Sequence, residues 1–300
     1  MLMTYGAWGW ATTWLAAQTL WLAVPLTGLL IALHSSLQHE AIHGHPFATR
    51  WLNTLLISPS LTLVLPYLRF RATHLEHHRD SLLTDPYDDP ETNYLDPVVW
   101  ERLRPFARGL FAVNNTLIGR LLIGPIVGHV YFVMREQAIA RSGEPEVLRG
   151  WLWYLPAVTV VLVWVWFAAM PLWAYALAAY LGLSVLKLRT FLEHQAHESA
   201  RGRTVVIEDR GLFAFLFLNN NYHVVHHMHP KLAWYALPAR FRADRDKYLR
   251  RNHGYYYRSY AEVIRRHLWR PKDPVAHPLW RSDRREWPMP AWIQRGRAGR

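Results

Sequence analysis

The chain has 17 histidines, and most are clustered at spacings that suit metal ligation. The first cluster is His39-Glu-Ala-Ile-His43, followed by Gly44 and His45. The second is His74-Leu-Glu-His77-His78, the third His194-Gln-Ala-His197, and the fourth His223-Val-Val-His226-His227, followed by His229. On a helix, residues three and four apart share a face, with Cβ atoms about 5–6 Å apart. His39 and His43 therefore point together. His74 can point with His77 and His78, and His223 with His226 and His227. A pattern of i, i+3, i+4 lets one helix end offer ligands to two neighbouring metals. Imidazole suits iron, copper, zinc and nickel. There are no cysteines, so disulfides, thiolate zinc sites, iron–sulfur clusters and a cysteine nucleophile are excluded. Any iron must be held by nitrogen and oxygen.

Each cluster has a plainer alternative. His39 to His43 alone matches the zinc-protease pattern HExxH. A protease would use one such helix and a third ligand, leaving two HxxHH clusters unexplained. A single HxxHH suits a solvated helix face; two of them beside a third paired box count against that. Haem ligands would sit mid-helix on facing helices, whereas these clusters lie beyond the apolar runs. Other histidines take plain roles. His34 reads as a packed or hydrogen-bonded residue inside an apolar helix, and His129 stands alone in an apolar segment. His253, His267 and His277 lie in a basic tail, where exposure is expected. His45, His197 and His229 are near the clusters, with a metal role and none equally open.

The elements that must position these residues are apolar. Residues 1–39, 51–68 and 151–186 contain no Asp, Glu, Lys or Arg. A hydrocarbon core about 30 Å thick needs about 20 helical residues. The run 151–186 is long enough for two crossings, with Pro171 at the turn, which predicts helices over 151–169 and 172–188. The N-terminal run, with Pro25 near its turn, predicts helices over 7–23 and 26–43. It lacks the basic start of a cleaved signal peptide and reads as the first membrane segment. Segment 51–68 is interrupted by Pro59 and Pro66 and suits a re-entrant or interfacial piece. Segment 121–134 is short and suits an interfacial helix. The fold expected is an all-α integral membrane protein of about four transmembrane helices in two hairpins, with interfacial helices and a cytoplasmic helical cap. Two hairpins return the chain to one side each time, so all the histidine clusters fall at one membrane face. Residues 1–238 form the membrane-embedded domain with its cap, and 239–300 a basic cytoplasmic extension.

The net charge of +12 is compatible with nucleic acid, anionic lipid or cytoplasmic loops of a membrane protein. The long uncharged runs favour the third, so membrane lipid and no nucleic acid are the expected partners. Basic residues beside membrane segments stay on the cytoplasmic side. That places the histidine clusters and the C-terminus in the cytoplasm, in a bacterial inner membrane.

An HxxxH box, an HxxHH box and a late HxxHH box, separated by hydrophobic hairpins, resemble the membrane fatty acid desaturase and hydroxylase superfamily over roughly residues 34–235. Its relatives include acyl-lipid desaturases, sphingolipid desaturases and carotenoid ketolases. The wording is most similar to bacterial rhizopine oxygenase-like proteins. That likeness lies in His74-Leu-Glu-His-His-Arg-Asp, Thr84-Asp-Pro-Tyr-Asp-Asp-Pro, Leu188-Arg-Thr-Phe-Leu-Glu-His194 and Asn219-Asn-Asn-Tyr-His223. The resemblance implies two ferrous ions held by His39 and His43, by His74, His77 and His78, by His223, His226 and His227, and by His194. The first box is one residue shorter than is usual in acyl-CoA desaturases.

The chemistry so implied is removal of hydrogen from an unactivated C–H bond, with O₂ as co-substrate and two external electrons. The product is an alkene or an alcohol, most naturally in a fatty acyl or other lipid substrate. The alternatives are an oxygenase of a small polar molecule such as a methylated amino-cyclitol, and a metal-binding membrane transporter, whose ligands would sit near the midplane. Carboxylates usually orient metal-bound histidines. Glu40, Glu76, Glu193, Asp80 and the Asp85 to Glu91 cluster are candidates, although most of Asp85 to Glu91 reads as a solvated acidic loop. Asn219, one helical turn before His223, is placed to hold a metal-bound water. No flavin or nicotinamide fingerprint is present. The electrons therefore come from a separate ferredoxin-like carrier; the arginine-rich tail suits docking of an acidic carrier or of the anionic membrane surface, and equally a plain solvated extension.

Overall fold

The computed structural model describes residues 1–79 and 81–281 and is almost entirely helical. Asp80 and residues 282–300 of the arginine-rich tail lie outside the described residues. The main helices are α1 (2–18), α2 (Leu20–Ile42), α3 (Tyr67–His77), α4 (Leu117–Arg141), α5 (Pro145–Phe167), α6 (Leu172–Thr190) and α7 (His223–Met228). Three of them, α2, α4 and α5, are long and apolar enough to cross a membrane. Large apolar side chains stand exposed on the bundle, among them Trp21, Leu122, Leu148, Trp166, Phe167 and Trp173. A band of that size would be a liability in water and is normal against lipid.

The second predicted hairpin is present, with Pro171 as the N-cap of α6. Its first helix starts earlier than expected, at Pro145, because Glu146 and Arg149 pair at 3.1 Å on the exposed first turn and need no apolar cover. The first hairpin is also present, but its turn is at Thr19, not Pro25. Thr19 is extended (φ −160°, ψ 115°), and Pro25 lies inside α2. One residue suffices to reverse the chain, and α1 folds back until the Tyr5 hydroxyl meets His34 Nε2 at 2.9 Å. Pro25 has no N–H to give the Trp21 carbonyl, so α2 continues through it at the loss of one hydrogen bond.

Segment 51–68 forms no crossing helix. It gives a short helix, Arg50–Ile57, and then turns that run into α3. Those turns are buried at Leu61, so their free carbonyls need partners. Tyr175 donates to the Leu61 carbonyl at 2.9 Å, and the Tyr154 hydroxyl donates to the Leu63 carbonyl.

Segment 121–134 corrects a second expectation. It is the middle of the 25-residue α4, a helix longer at both ends than the segment expected. The charges that bracket it in sequence are satisfied inside the protein. Arg120 is buried and donates to the Asn114 carbonyl and to Asn93. Glu136 is buried and accepts two bonds from Arg69, at 2.6 and 2.9 Å, and one from Trp151 at 3.2 Å. A bidentate, fully partnered pair of this kind tolerates burial. It ties α3 to α4 and α5, and Gly150 leaves room for the Arg69 side chain.

The helices leading to the first and third histidine clusters, α2 and α6, pack along each other. They touch backbone to backbone at Gly28 and Gly182. A Cβ on Gly28 would lie 2.9 Å from the Ala178 carbonyl oxygen, and one on Gly182 would lie 2.7 Å from the Gly28 carbonyl oxygen. Small residues permit such close approach where apolar burial supplies no drive between helices. Beyond the bundle, β1 (Val206–Ile207) pairs in parallel with β2 (Tyr256–Tyr257). Around them Tyr222, Val225, Leu237, Phe241 and Tyr248 form a separate core behind α7.

Candidate metal centre

Each histidine cluster sits at or just beyond a helix end. His39 lies in the last turn of α2 and His43 caps it; His74 and His77 lie in the last turn of α3 and His78 caps it. A helix C-terminus carries partial negative charge and favours a cation nearby. His194 follows α6 and is held by a β-bridge to Thr204. His223, His226 and His227 lie on α7.

The fold brings all nine predicted residues together, in two groups. His39, His43, His74, His78 and His226 form the first; His77, His194, His223 and His227 form the second. Within each, one nitrogen per ring lies within 4.8 Å of every other. The Nε2–Nε2 separations in the first group are 3.2 Å for His43–His74, 3.0 Å for His74–His78 and 3.1 Å for His78–His226. In the second they are 2.8 Å for His77–His194, 3.0 Å for His194–His223 and 3.1 Å for His223–His227. The rings of His78 and His227 stack at 4.3 Å and join the groups.

The outer ring nitrogens show which atoms are free to ligate. A carboxylate only accepts, so the ring nitrogen that faces it carries the proton. His74 Nδ1 donates to Glu91 at 2.9 Å, and His77 Nδ1 to Asp89 at 2.8 Å. Asn220 donates to Glu193 at 2.8 Å, which turns its Oδ1 toward His223 Nδ1 at 3.3 Å. The Nε2 lone pairs of these rings then converge on one another. Burial, reinforced by neighbouring imidazoles, pushes His43 down to about 3 and holds His78, His194, His223 and His226 well below the usual histidine range. Burial opposes charge on His77 as well, but Asp89 and Glu91 outweigh it and push it up to about 9. Burial likewise opposes charge on Glu91, which His77 and His74 hold well below the usual carboxylate range. His39 Nε2 is buried with no hydrogen-bond partner. Ring nitrogens aimed at one another about 3 Å apart, with His39 Nε2 left without a partner, form a donor set that fits metal ions with nitrogen preference, and a bound cation would displace the proton that Asp89 and Glu91 favour on His77.

The orienting groups differ in part from those expected. Asp89 and Glu91 belong to the supposed solvated loop but hold histidines. Asp85 instead caps its own loop, accepting from the backbone of Tyr87 and Asp88. Glu40 accepts from the Trp234 backbone and Glu76 from Arg135, so neither touches a histidine ring nitrogen among the described residues. Glu193 acts on His223 through Asn220. Asn219 donates to the Trp234 carbonyl at 3.2 Å. The reason is local: the chain before His223 is a turn, not a helix, with Leu218 and Asn219 at positive φ, and Asn220 is the residue that faces the ring. Asp80 lies outside the described residues.

Sequence reasoning missed a further support. Lys272 donates to the His194 carbonyl, Tyr94 donates to Asp273, and the Ala196 backbone donates to Tyr94 at 2.8 Å. Burial pushes the Lys272 amine down to about 8. No spacing signal marks these residues. His277, expected to be exposed, is buried and lies 3.2 Å from Thr84 Oγ1, because residues around it lace onto the acidic loop through the Leu95–Ala276 bridge. His45, His197 and His229 stand outside both groups, engaged with Lys231, Ser199 and Tyr248.

Beside the second group lies a cavity of about 260 Å³. Its lining joins apolar side chains, including Val64, Phe70, Phe132 and Leu183, to Glu91 and His194. Two adjacent histidine groups able to hold metal, one of which reaches this apolar-lined space through His194, can bring metal-based chemistry to a hydrocarbon.

No curated protein matches the chain. The family profile described as fatty acid desaturase matches residues 8–260, well over half of the 300 residues. With two histidine groups able to hold metal at the ends of long apolar helices, the chain belongs to the fatty acid desaturase family and is an oxidoreductase of the desaturase and hydroxylase kind.

Proposed function

We propose that this protein is an integral-membrane di-iron oxidase that desaturates or hydroxylates an unactivated C–H bond in a lipid or acyl substrate. One observation carries the reading: nine imidazoles meet in a group of five and a group of four beside an apolar-lined cavity. Iron bound there would supply O₂ activation, with two electrons from a separate ferredoxin-like carrier. His39, His43, His74, His78 and His226 would hold one ion, and His77, His194, His223 and His227 the other. Asp89, Glu91 and Asn220 fix ring orientation and keep the proton on Nδ1. The cavity's apolar walls exclude water and orient the carbon chain against His194.

The expected topology has four crossings, α1, α2, α5 and α6, with the histidines and basic C-terminal region on the cytoplasmic side. The turn at Thr19 and the hairpin at Pro171 support it, since both return the chain toward the same end of the bundle. The region of exposed Arg242, Arg245 and Arg250 would face an acidic carrier.

Two measurements test the reading. Lipid profiling by mass spectrometry compares cells expressing wild type with cells expressing His226→Ala. A new double bond or hydroxyl is expected in the first and lost in the second. Protein purified without oxygen is expected to carry two irons per chain; zinc at one per chain with no iron would overturn it.

A further inference from the structure

Residues 272–280 run beside the acidic loop that carries Asp89 and Glu91 and are bonded to it along their length. Leu95 donates to the Val275 carbonyl at 2.9 Å and accepts from the His277 backbone at 2.8 Å. The Trp280 indole donates to Asp96 at 3.1 Å, on the oxygen that the Tyr87 hydroxyl also reaches. At the other end Lys272 donates to the His194 carbonyl, and Asp273 accepts from Tyr94, which in turn accepts from the Ala196 backbone.

The His277 side chain adds a link that points inward. The Leu279 backbone donates to His277 Nδ1 at 3.2 Å, so that nitrogen carries no proton and Nε2 does. Nε2 lies 3.2 Å from Thr84 Oγ1 and is therefore the donor to it. Thr84 is 1% exposed and sits at φ 69°, a left-handed conformation that a β-branched residue rarely adopts. Such a conformation persists only where the surroundings fix it. In it the Thr84 N–H donates to Asp89 Oδ2 at 2.8 Å, while Asp89 Oδ1 holds His77 Nδ1 at 2.8 Å. A single chain of buried hydrogen bonds thus leads from His277 to a ring of the smaller histidine group.

We infer that residues 272–280 are a strap that sets the aim of the smaller group, with His277 a positioning residue acting through Thr84 and Asp89 on His77. The same strap holds His194 through Lys272, so two of the four rings depend on it. The larger group feels the loop only through Glu91 on His74. That the rings so aimed are metal ligands rests on the oxidase reading above.

The test uses the full chain in nanodiscs and two readouts. His277→Phe keeps a ring against Tyr94 and Trp280 but removes the donor. Hydrogen exchange of the metal-free protein, followed by mass spectrometry, should become about ten-fold faster in residues 84–96 and stay unchanged in residues 223–228. Titration with Fe²⁺ without oxygen, against a chelator, should show one of two ions weakened about ten-fold and the other within about two-fold. In a His194→Ala background, where the larger group alone remains, His277→Phe should change nothing further. His277→Gln, which donates from a similar reach, should restore both readouts. Thr84→Val removes the same bond from the other side, should reproduce the loss without adding to it, and decides the question if the first variant does not fold. Unchanged loop exchange, equal weakening of both ions, or no restoration by His277→Gln would overturn the strap. A wild type that takes up no second iron removes the di-iron reading, and loop exchange then still decides whether the strap holds Asp89.

Discussion

Five imidazoles make up one histidine group and four the other, and the two sets are braced differently. Every member of the larger group comes from the three boxes, and the bracing seen there is Glu91 on His74, with Glu91 24% exposed. The smaller group depends on His194, which lies outside those boxes, and is buttressed more heavily. Asp89 and His77 are both 1% exposed, Asn220 holds His223, and Lys272 holds the His194 carbonyl. Fewer nitrogens leave more of a cation's coordination sphere open, as catalytic sites require, and rigid support keeps such a site from collapsing. The smaller group is also the one that reaches the cavity through His194.

The most drastic way to break this comparison is His194→Ala. It should reduce iron from two per chain to about one, read by elemental analysis, and abolish turnover. Loss of both irons would mean that the groups are not separable. Asp89→Asn comes next. It should weaken metal binding at the smaller group by about 10–100-fold in chelator competition, and Glu91→Gln should do less at the larger. Gly28→Val tests the frame instead of either group. Overpacking against the Ala178 carbonyl should cost about 1–3 kcal/mol in thermal or denaturant unfolding, with both groups weakened alike. Lys272→Met should have the smallest effect, a few-fold loss of metal affinity confined to the smaller group. A loss of equal size at both would show that Lys272 supports the cap generally.

Eight of the nine histidines that gather in the two groups were legible because their spacing is a local property, whereas His194 entered only through the family resemblance. Helical geometry alone puts His39 with His43, and His223 with His226 and His227. The helix ends were less legible, because partners distant in sequence set them. Arg120 and Glu136 look like boundaries of an apolar run until Asn114 and Arg69 are seen to satisfy them. The bracing was least legible. Asp89 and Asp85 are four residues apart in one acidic stretch, yet one orients a buried ring and the other caps a turn. Asn219, Asn220 and Asn221 each bond a different element, and no pattern in the sequence distinguishes them. Lys272 reaches His194 across the whole cap.

The glycine contact between α2 and α6 behaves as a fulcrum. Gly28 lies eleven residues before His39, a lever arm of roughly 16 Å at the helical rise. A tilt of about five degrees at the pivot would swing the imidazole by roughly 1.4 Å, enough to spoil a ligand's aim. Two absent side chains, deep in the apolar bundle, thereby govern alignment at the opposite end of the helix.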